Sequence, residues 1–161
     1  MADAPGYRQE DQDRIRAGAT LHDIGKIGVS DHILQKKGRL TEDEMQKIRA
    51  HPNTGVAIIR HIESLRNCLA AVQYHHERYD GSGYPAGLKG NNIPLDARIL
   101  AVADAFDAMT SERPYHQTMT FDEALRELQD CAGTHFDPQI VELFVARAES
   151  LESVAEVTES A

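Results

Sequence analysis

Apolar residues recur at helical spacing along almost the whole chain, and this pattern constrains the fold more than any other feature. Val56, Ile59, Ile62 and Leu65 fall on one stripe, and the segment ILAVADAFDAM (99–109) buries one broad apolar side. No segment alternates apolar and polar residues as a half-buried strand would. The sequence therefore predicts an all-α fold, a single helical bundle.

Local signals divide the bundle into separate helices. Thr41 with Glu44 and Thr120 with Glu123 have the spacing of capping boxes, which begin helices. Asp137 and Pro138 have the residue types of the N-cap and first position of a last helix, which we expect over 139–148. Between these signals, residues 79–94 (YDGSGYPAGLKGNNIP) contain too much glycine and proline for a regular element. We name this segment the glycine-rich loop.

Length and charge limit the class of protein. At 161 residues the chain suits one domain, and its net charge of −9 argues against a nucleic-acid polymer or a membrane surface as partner. No stretch approaches the roughly 20 apolar residues of a membrane span. Cys68 and Cys131 lack metal-site spacing, so we expect reduced thiols and a cytoplasmic protein. We expect a flexible N-terminal segment over 1–13, the domain over 14–149 and an acidic tail over 150–161.

Six residues of metal-ligand type lie at positions that need an explanation. Asp104 stands on a strongly apolar helix, where an ionised carboxylate is costly unless it is paired or bound to metal. Two adjacent pairs stand at expected helix ends, and a further histidine precedes a proline that indicates a bend. The other five are His22, Asp23, His51, His75 and His76.

Each of these residues alone is more often a surface or core residue than a ligand. Neighbours on a helix point about 100° apart, so an adjacent pair suits two ions side by side, or one ion and a substrate oxygen. Imidazoles mixed with carboxylates favour Fe, Mn, Zn or similar ions. Two such ions clamp a displacement at phosphorus. Lys26 and Arg113 could then bind phosphate oxygens.

The motifs in order resemble those of a known family. HDIGKIGVSD, HPNTG, HHERYDGSGYP, ILAVADAFDAMTSERPY and GTHFDP occur with the spacing of HD-GYP domains, a branch of the HD-domain metal phosphohydrolases. The resemblance runs from about Leu21 to Phe144, and the conjunction of DGSGYP with ADAFDAMTSERPY is its most specific part. It implies a metal-dependent phosphodiesterase that hydrolyses cyclic di-GMP to the linear dinucleotide pGpG or to GMP.

Roles follow from the resemblance residue by residue. It implies that Asp23 bridges the metals and that Lys26 stands beside the nucleophile, both as catalytic residues. Lys26, Arg113 and Tyr84 match substrate-binding positions, and Gly83, Tyr84 and Pro85 are the GYP motif. The metal ligands that it implies are His22, Asp23, His51, His75, His76 and Asp104.

The chain departs from the family pattern upstream of His22. Family members carry a further histidine, and often a glutamate, on an earlier helix, whereas none of the 21 residues before His22 is histidine. The domain therefore lacks its first helix in this sequence, and we expect two divalent ions (Fe, Mn or similar) and no third. Glu10 stands too close in sequence to replace the missing ligand. The chain is then a fragment of a longer protein or a naturally shortened version.

Three functions remain open at this stage. The first is an active cyclic di-GMP phosphodiesterase. The second is a degenerate or truncated domain that binds a nucleotide or a protein without catalysis, and the third is an HD-type hydrolase of another nucleotide. The resemblance implies an N-terminal receiver or sensor domain in the full-length protein. It also allows a homodimer and contacts with GGDEF-domain or other signalling proteins.

Overall fold

The computed structural model describes residues 8–112 and 118–159, and side chains as far as residue 151. Within these residues helices are the only extended regular elements, and a single isolated bridge joins Ala132 to Phe136. The all-α prediction is confirmed. Short 3₁₀ helices lie at Ile24–Gly28, Glu63–Cys68 and Gly90–Asn92. The α-helices are α1 (Gln9–Leu21), α2 (Asp31–Leu34), α3 (Glu42–Arg49), α4 (His51–Ile59), α5 (Leu69–Tyr74), α6 (Leu95–Thr110), α7 (Phe121–Asp130) and α8 (Pro138–Glu159).

The predicted helix starts are confirmed by their hydrogen bonds. Both capping boxes are complete, with Thr41 at the start of α3 and Thr120 at the start of α7. The Asp137 side chain accepts from the backbone N–H of Gln139 at 2.9 Å, as an N-cap residue of α8 does. These caps satisfy backbone donors that would otherwise lack partners.

Helical residues also occur in both flanking segments. α1 begins at Gln9, inside the segment 1–13 that was expected to be flexible, and α8 continues past Ala148 to Glu159, into the expected acidic tail. Outside these helical residues, the division into a domain and two flanks stays a prediction.

The apolar core has two parts that meet at α1. The larger cluster joins α6, α7 and α8, with Val102 and Leu128 fully buried, and it includes Ile15 of α1. The smaller cluster joins α4, α5 and the 3₁₀ helix before α5, and Leu21 of α1 packs against it. α1 approaches α5 closely, because a Cβ added at Gly18 would lie 2.8 Å from that of Ala71. This packing fixes α1 beside α5 and the 3₁₀ helix before it.

The glycine-rich loop is irregular, as expected, but it is well anchored. Gly81 and Gly87 have φ of 88° and 65°, a left-handed conformation that glycine adopts without strain. The N–H groups of Tyr79 and Asp80 donate to the backbone oxygens of residues 135 and 134, at 3.0 and 2.8 Å. At the other end, Arg98 donates to Ile93 O at 2.9 Å.

A membrane span was not expected. In the part of the chain that the structure describes, no helix combines the length and apolar character needed to cross a bilayer. Both cysteines are free thiols.

Candidate metal centre

Three helix termini and the middle of α6 bring the predicted ligands together. His22 and Asp23 directly follow α1, and His51 is the first residue of α4. His75 and His76 directly follow α5, while Asp104 lies within α6. The predicted helix ends and the bend at His51 are therefore confirmed. The distances between their ligand atoms place all six side chains in one small volume.

Backbone carbonyls orient three of the imidazole rings. Nδ1 of His22 lies 2.7 Å from Ala19 O, and Nδ1 of His75 lies 2.9 Å from Val72 O. Nδ1 of His51 makes the same contact with the oxygen of residue 48, at 2.7 Å. A carbonyl only accepts, so each of these Nδ1 atoms carries a proton, and Nε2 of neutral His51 and His75 presents a lone pair. This arrangement is typical of metal-binding histidines.

Four residues form the tightest part of the site. Asp23, His51, His75 and His76 each offer one ligand atom, and these atoms all lie within 4.8 Å of one another. Nε2 of His51 lies 3.4 Å from Nε2 of His75 and 3.3 Å from Oδ1 of Asp23. We name these four residues the ligand cluster.

His22 and Asp104 extend the ligand cluster on the other side of Asp23. Nε2 of His22 lies 3.4 Å from Asp104 Oδ1 and 3.5 Å from Asp23 Oδ2. The two oxygens of Asp23 therefore face two different groups of nitrogens. A carboxylate in this position can bridge two ions.

Burial keeps most of these imidazoles neutral. It lowers the pKa of His51, and together with the neighbouring histidines it lowers the pKa of His75 to about 4 and that of His76 to about 3. His22 differs, because its hydrogen bond with Asp104 outweighs burial and raises its pKa. The same bond lowers the pKa of Asp104. Neutral imidazoles and ionised carboxylates are the protonation states that bind metal ions.

Several buried acceptor atoms of the site face one another, an arrangement that favours a bound cation. Oδ1 of Asp23 is buried and accepts no hydrogen bond. It faces the Nε2 lone pair of His51, which in turn faces the lone pair of His75. Buried acceptors that point at one another repel unless a cation or a proton lies between them. The residues present thus fit a bound metal ion.

Lys26 binds the other oxygen of Asp23. Its Nζ donates to Asp23 Oδ2 at 2.6 Å across one turn of 3₁₀ helix. Burial raises the pKa of Asp23, but this bond and the charge of Lys26 outweigh it, so that the pKa is lowered. Gly25 allows the turn to pack on α4, since a Cβ there would lie 1.9 Å from His51 O. The close approach sets Asp23 against His51.

The GYP motif lies over the ligand cluster. The Tyr84 ring stacks on that of His76, with centroids 4.8 Å apart and planes inclined by 24°. Burial raises the pKa of Tyr84 to about 12, so the phenol keeps its proton. At Gly83 a Cβ would lie 2.3 Å from Arg78 N, so only glycine permits this approach. Gly83 to Pro85 thus form a turn over His76, with a cis peptide at Tyr84–Pro85.

Two further residues were considered from the sequence, Arg113 and Glu10. Arg113 lies outside the described residues. Glu10 is exposed on the first turn of α1, about 18 Å along the helix from His22 at 1.5 Å rise per residue. Glu10 therefore lies too far from His22 to join the six ligands.

Two residues near the site were missed from the sequence. The Arg49 guanidinium lies 5.6 Å from the centroid of the Tyr84 ring, at the rim of the site. Glu77 is buried to 2% exposure immediately after His76. The only sequence signals were a cation two residues before His51 and a third polar residue after the histidine pair.

The chain resembles known proteins over most of its length. A family model described as an HD domain matches residues 1–140. The chain belongs to the HD-domain family. The resemblance to HD-GYP-type HD domains is likewise confirmed, and the ligand cluster is the candidate metal site of this domain.

Individual relatives carry more specific names. The chain is 45% identical over 159 residues to the cyclic di-GMP phosphodiesterase response regulator RpfG of Xanthomonas campestris, covering 96% of this chain and 41% of the relative. It is 42% identical over 131 residues to the 3'3'-cGAMP-specific phosphodiesterase 3 of Vibrio cholerae, covering 80% of this chain and 28% of the relative. The chain thus spans less than half the length of either relative.

A solved structure shows the same fold. The crystal structure of a cyclic GMP-AMP specific phosphodiesterase from Vibrio cholerae superposes with a TM-score of 0.66 at 20% identity, covering 92% of this chain and 40% of that one. At this identity the likeness concerns the fold alone.

Proposed function

We propose that this chain is the catalytic domain of a metal-dependent phosphodiesterase, which hydrolyses cyclic di-GMP to pGpG or GMP in bacterial second-messenger signalling. One observation carries the proposal. Neutral imidazoles and the Asp23 carboxylate converge within 4.8 Å beneath the GYP turn. The 45% identical relative is named a cyclic di-GMP phosphodiesterase, which supports cyclic di-GMP as the substrate.

The site suits two divalent ions, of Fe, Mn or a similar metal. One ion would be held by His51, His75 and His76. The other would be held by His22 and Asp104, and Asp23 would be shared by the two ions. The mixture of nitrogen and oxygen ligands favours these transition metals over Ca or Mg. When bound, such ions would polarise a phosphoryl oxygen. They would also lower the pKa of a bound water molecule to near neutral.

The side chains around the ions have separate tasks. Lys26 fixes the orientation of Asp23 through its bond to Oδ2. We expect its Nζ to donate also to a phosphate oxygen or to the leaving 3′ oxygen. Arg113 is proposed to make a bidentate contact with the phosphate group. The protonated phenol of Tyr84 presents a flat ring beside His76, on which a guanine base can stack.

A second candidate substrate is cyclic GMP-AMP. It is favoured by the 42% identity to a 3'3'-cGAMP-specific phosphodiesterase. Both nucleotides carry two phosphodiester bonds and differ in one purine, so the metal site does not distinguish them. Discrimination would depend on contacts with the bases.

The whole protein has further proposed features. The relative RpfG is a response regulator by name, which supports an N-terminal receiver or sensor domain in the full-length protein. Contacts with GGDEF-domain or other signalling proteins, a homodimer and a cytoplasmic location belong to the same proposal.

The first experiment measures metal content and turnover on one sample. Protein purified without chelator should contain about two equivalents of iron or manganese per chain. It should convert cyclic di-GMP faster than cyclic GMP-AMP. Chelation should abolish turnover, and adding back the metal should restore it.

Other outcomes would redirect the proposal. Faster conversion of cyclic GMP-AMP would identify it as the preferred substrate. Bound metal without turnover of either nucleotide would favour the non-catalytic module or a hydrolase of another nucleotide. Convergence of all six predicted ligands and the relatives' names argue against the non-catalytic alternative.

A further inference from the structure

Glu77 is a buried carboxylate with no place in the mechanism above. It is 2% exposed, and it follows His76 in sequence. Its Oε1 accepts from the backbone N–H of Ala86 at 2.6 Å, and its Oε2 accepts from that of Leu88 at 3.0 Å. Bonds to an ionised carboxylate are roughly twice as strong as neutral ones. Glu77 therefore connects the segment that follows α5 to Ala86 and Leu88 of the glycine-rich loop.

Hydrogen bonds of the backbone hold the GYP turn both before and after Pro85. Ala86 directly follows Pro85, and at the other end of the turn the Tyr84 N–H donates to His76 O at 3.2 Å. Gly83 packs against the backbone of Glu77, because a Cβ there would lie 2.6 Å from the Glu77 Cα. Tyr84 is thus held from both sides while its ring lies on His76.

We propose that Glu77 is a positioning residue, which pins the glycine-rich loop over the ligand cluster and so holds Tyr84 as a wall of the substrate site. The expected effect on substrate binding rests on the proposed function. The expected effect on the glycine-rich loop does not depend on it. Glu77 acts through Tyr84 and does not bind the metal.

Glu77→Gln tests this role. Glutamine has one acceptor oxygen, so its NH2 group must face the N–H of Ala86 or Leu88. Amide hydrogen exchange at these two residues should accelerate by about tenfold or more in the metal-loaded protein, as expected for the loss of a bond to a charged group. Affinity for Mn²⁺, measured by titration calorimetry, should stay at the wild-type value. With cyclic di-GMP, KM should rise by about tenfold while kcat changes little, because the loop orders the substrate site without touching the reacting atoms.

Two further variants make the test specific. Gly83→Ala pushes the turn off the Arg78 backbone, so it should raise KM as Glu77→Gln does, and the double variant should be no worse than either single one. Glu123→Gln is the matched control, since Glu123 also accepts a backbone N–H, from Thr120 at 2.8 Å, but in α7. It should leave loop exchange and KM unchanged. If Glu77→Gln does not fold, Glu77→Asp takes its place, because it keeps both acceptor oxygens and should show a smaller effect of the same kind.

The outcomes separate this inference from the proposed function. Unchanged exchange at Ala86 and Leu88 would overturn the role of Glu77, and so would weaker Mn²⁺ binding or additive effects in the double variant. If the wild-type chain hydrolyses neither nucleotide, the proposed function fails. The exchange and metal measurements then still decide whether Glu77 pins the loop.

Discussion

The metal centre and the apolar core use the same helix in opposite ways. α6 presents Asp104 to the metal centre, where it meets His22, and presents Val102 and Ile99 to the core, where both are buried. On the first side, polar atoms converge and one buried oxygen of Asp23 lacks a hydrogen bond. On the second side, aliphatic and aromatic side chains of α7 and α8 fill the space. The comparison indicates that metal binding and folding stability depend on different residues.

The largest expected effect is on metal binding. Asp23→Ala should abolish it, since Asp23 faces both groups of ligands. His22→Ala should remove at least the ion that His22 and Asp104 would hold. The loss should exceed the roughly 10- to 100-fold that follows from removing a residue that only orients a ligand. Helix content measured by circular dichroism should change little, because neither side chain belongs to the core clusters.

Asp107→Ala is the control for these variants. Asp107 is an exposed carboxylate on α6, one turn from Asp104, and its loss should leave metal content unchanged. Full metal content in both the Asp23 and the His22 variants would show that the metal binds elsewhere.

The next effect should appear on the other side of α6. Leu128 is fully buried between α6, α7 and α8, so Leu128→Ala should lower the free energy of unfolding by about 2–5 kcal/mol through the cavity it leaves. Urea unfolding monitored by circular dichroism measures this loss. The number of metal ions bound by the folded protein should stay the same. A lower stoichiometry would mean that the two regions are coupled through α6.

The sequence predicts the metal centre better than the loop that covers it. Ligand types at helix ends can be recognised because caps, prolines and glycines mark those ends, and the structure brings all six predicted ligands together. The clamp by Glu77 could not be predicted, because its bonds reach 9 and 11 residues into a segment without periodicity. The ion pair of Arg14 with Asp96 joins residues 82 apart and has no local signal either.

The smallest effects should come from the two capping boxes, one in each region. Thr41 begins α3, which leads to His51, and Thr120 begins α7 in the core. Loss of either hydroxyl in a Thr→Ala variant should lower the free energy of unfolding by about 1 kcal/mol, within the usual range for an N-cap. Thr120→Ala should cost more, because Glu123 loses the hydroxyl that donates to it at 2.9 Å, whereas Glu44 keeps the Lys36 ammonium at 2.6 Å as a second partner. Urea unfolding of both variants measures the difference. A fall in Mn²⁺ affinity confined to Thr41→Ala would show that the start of α3 helps to place His51, and it would weaken the separation between binding and stability.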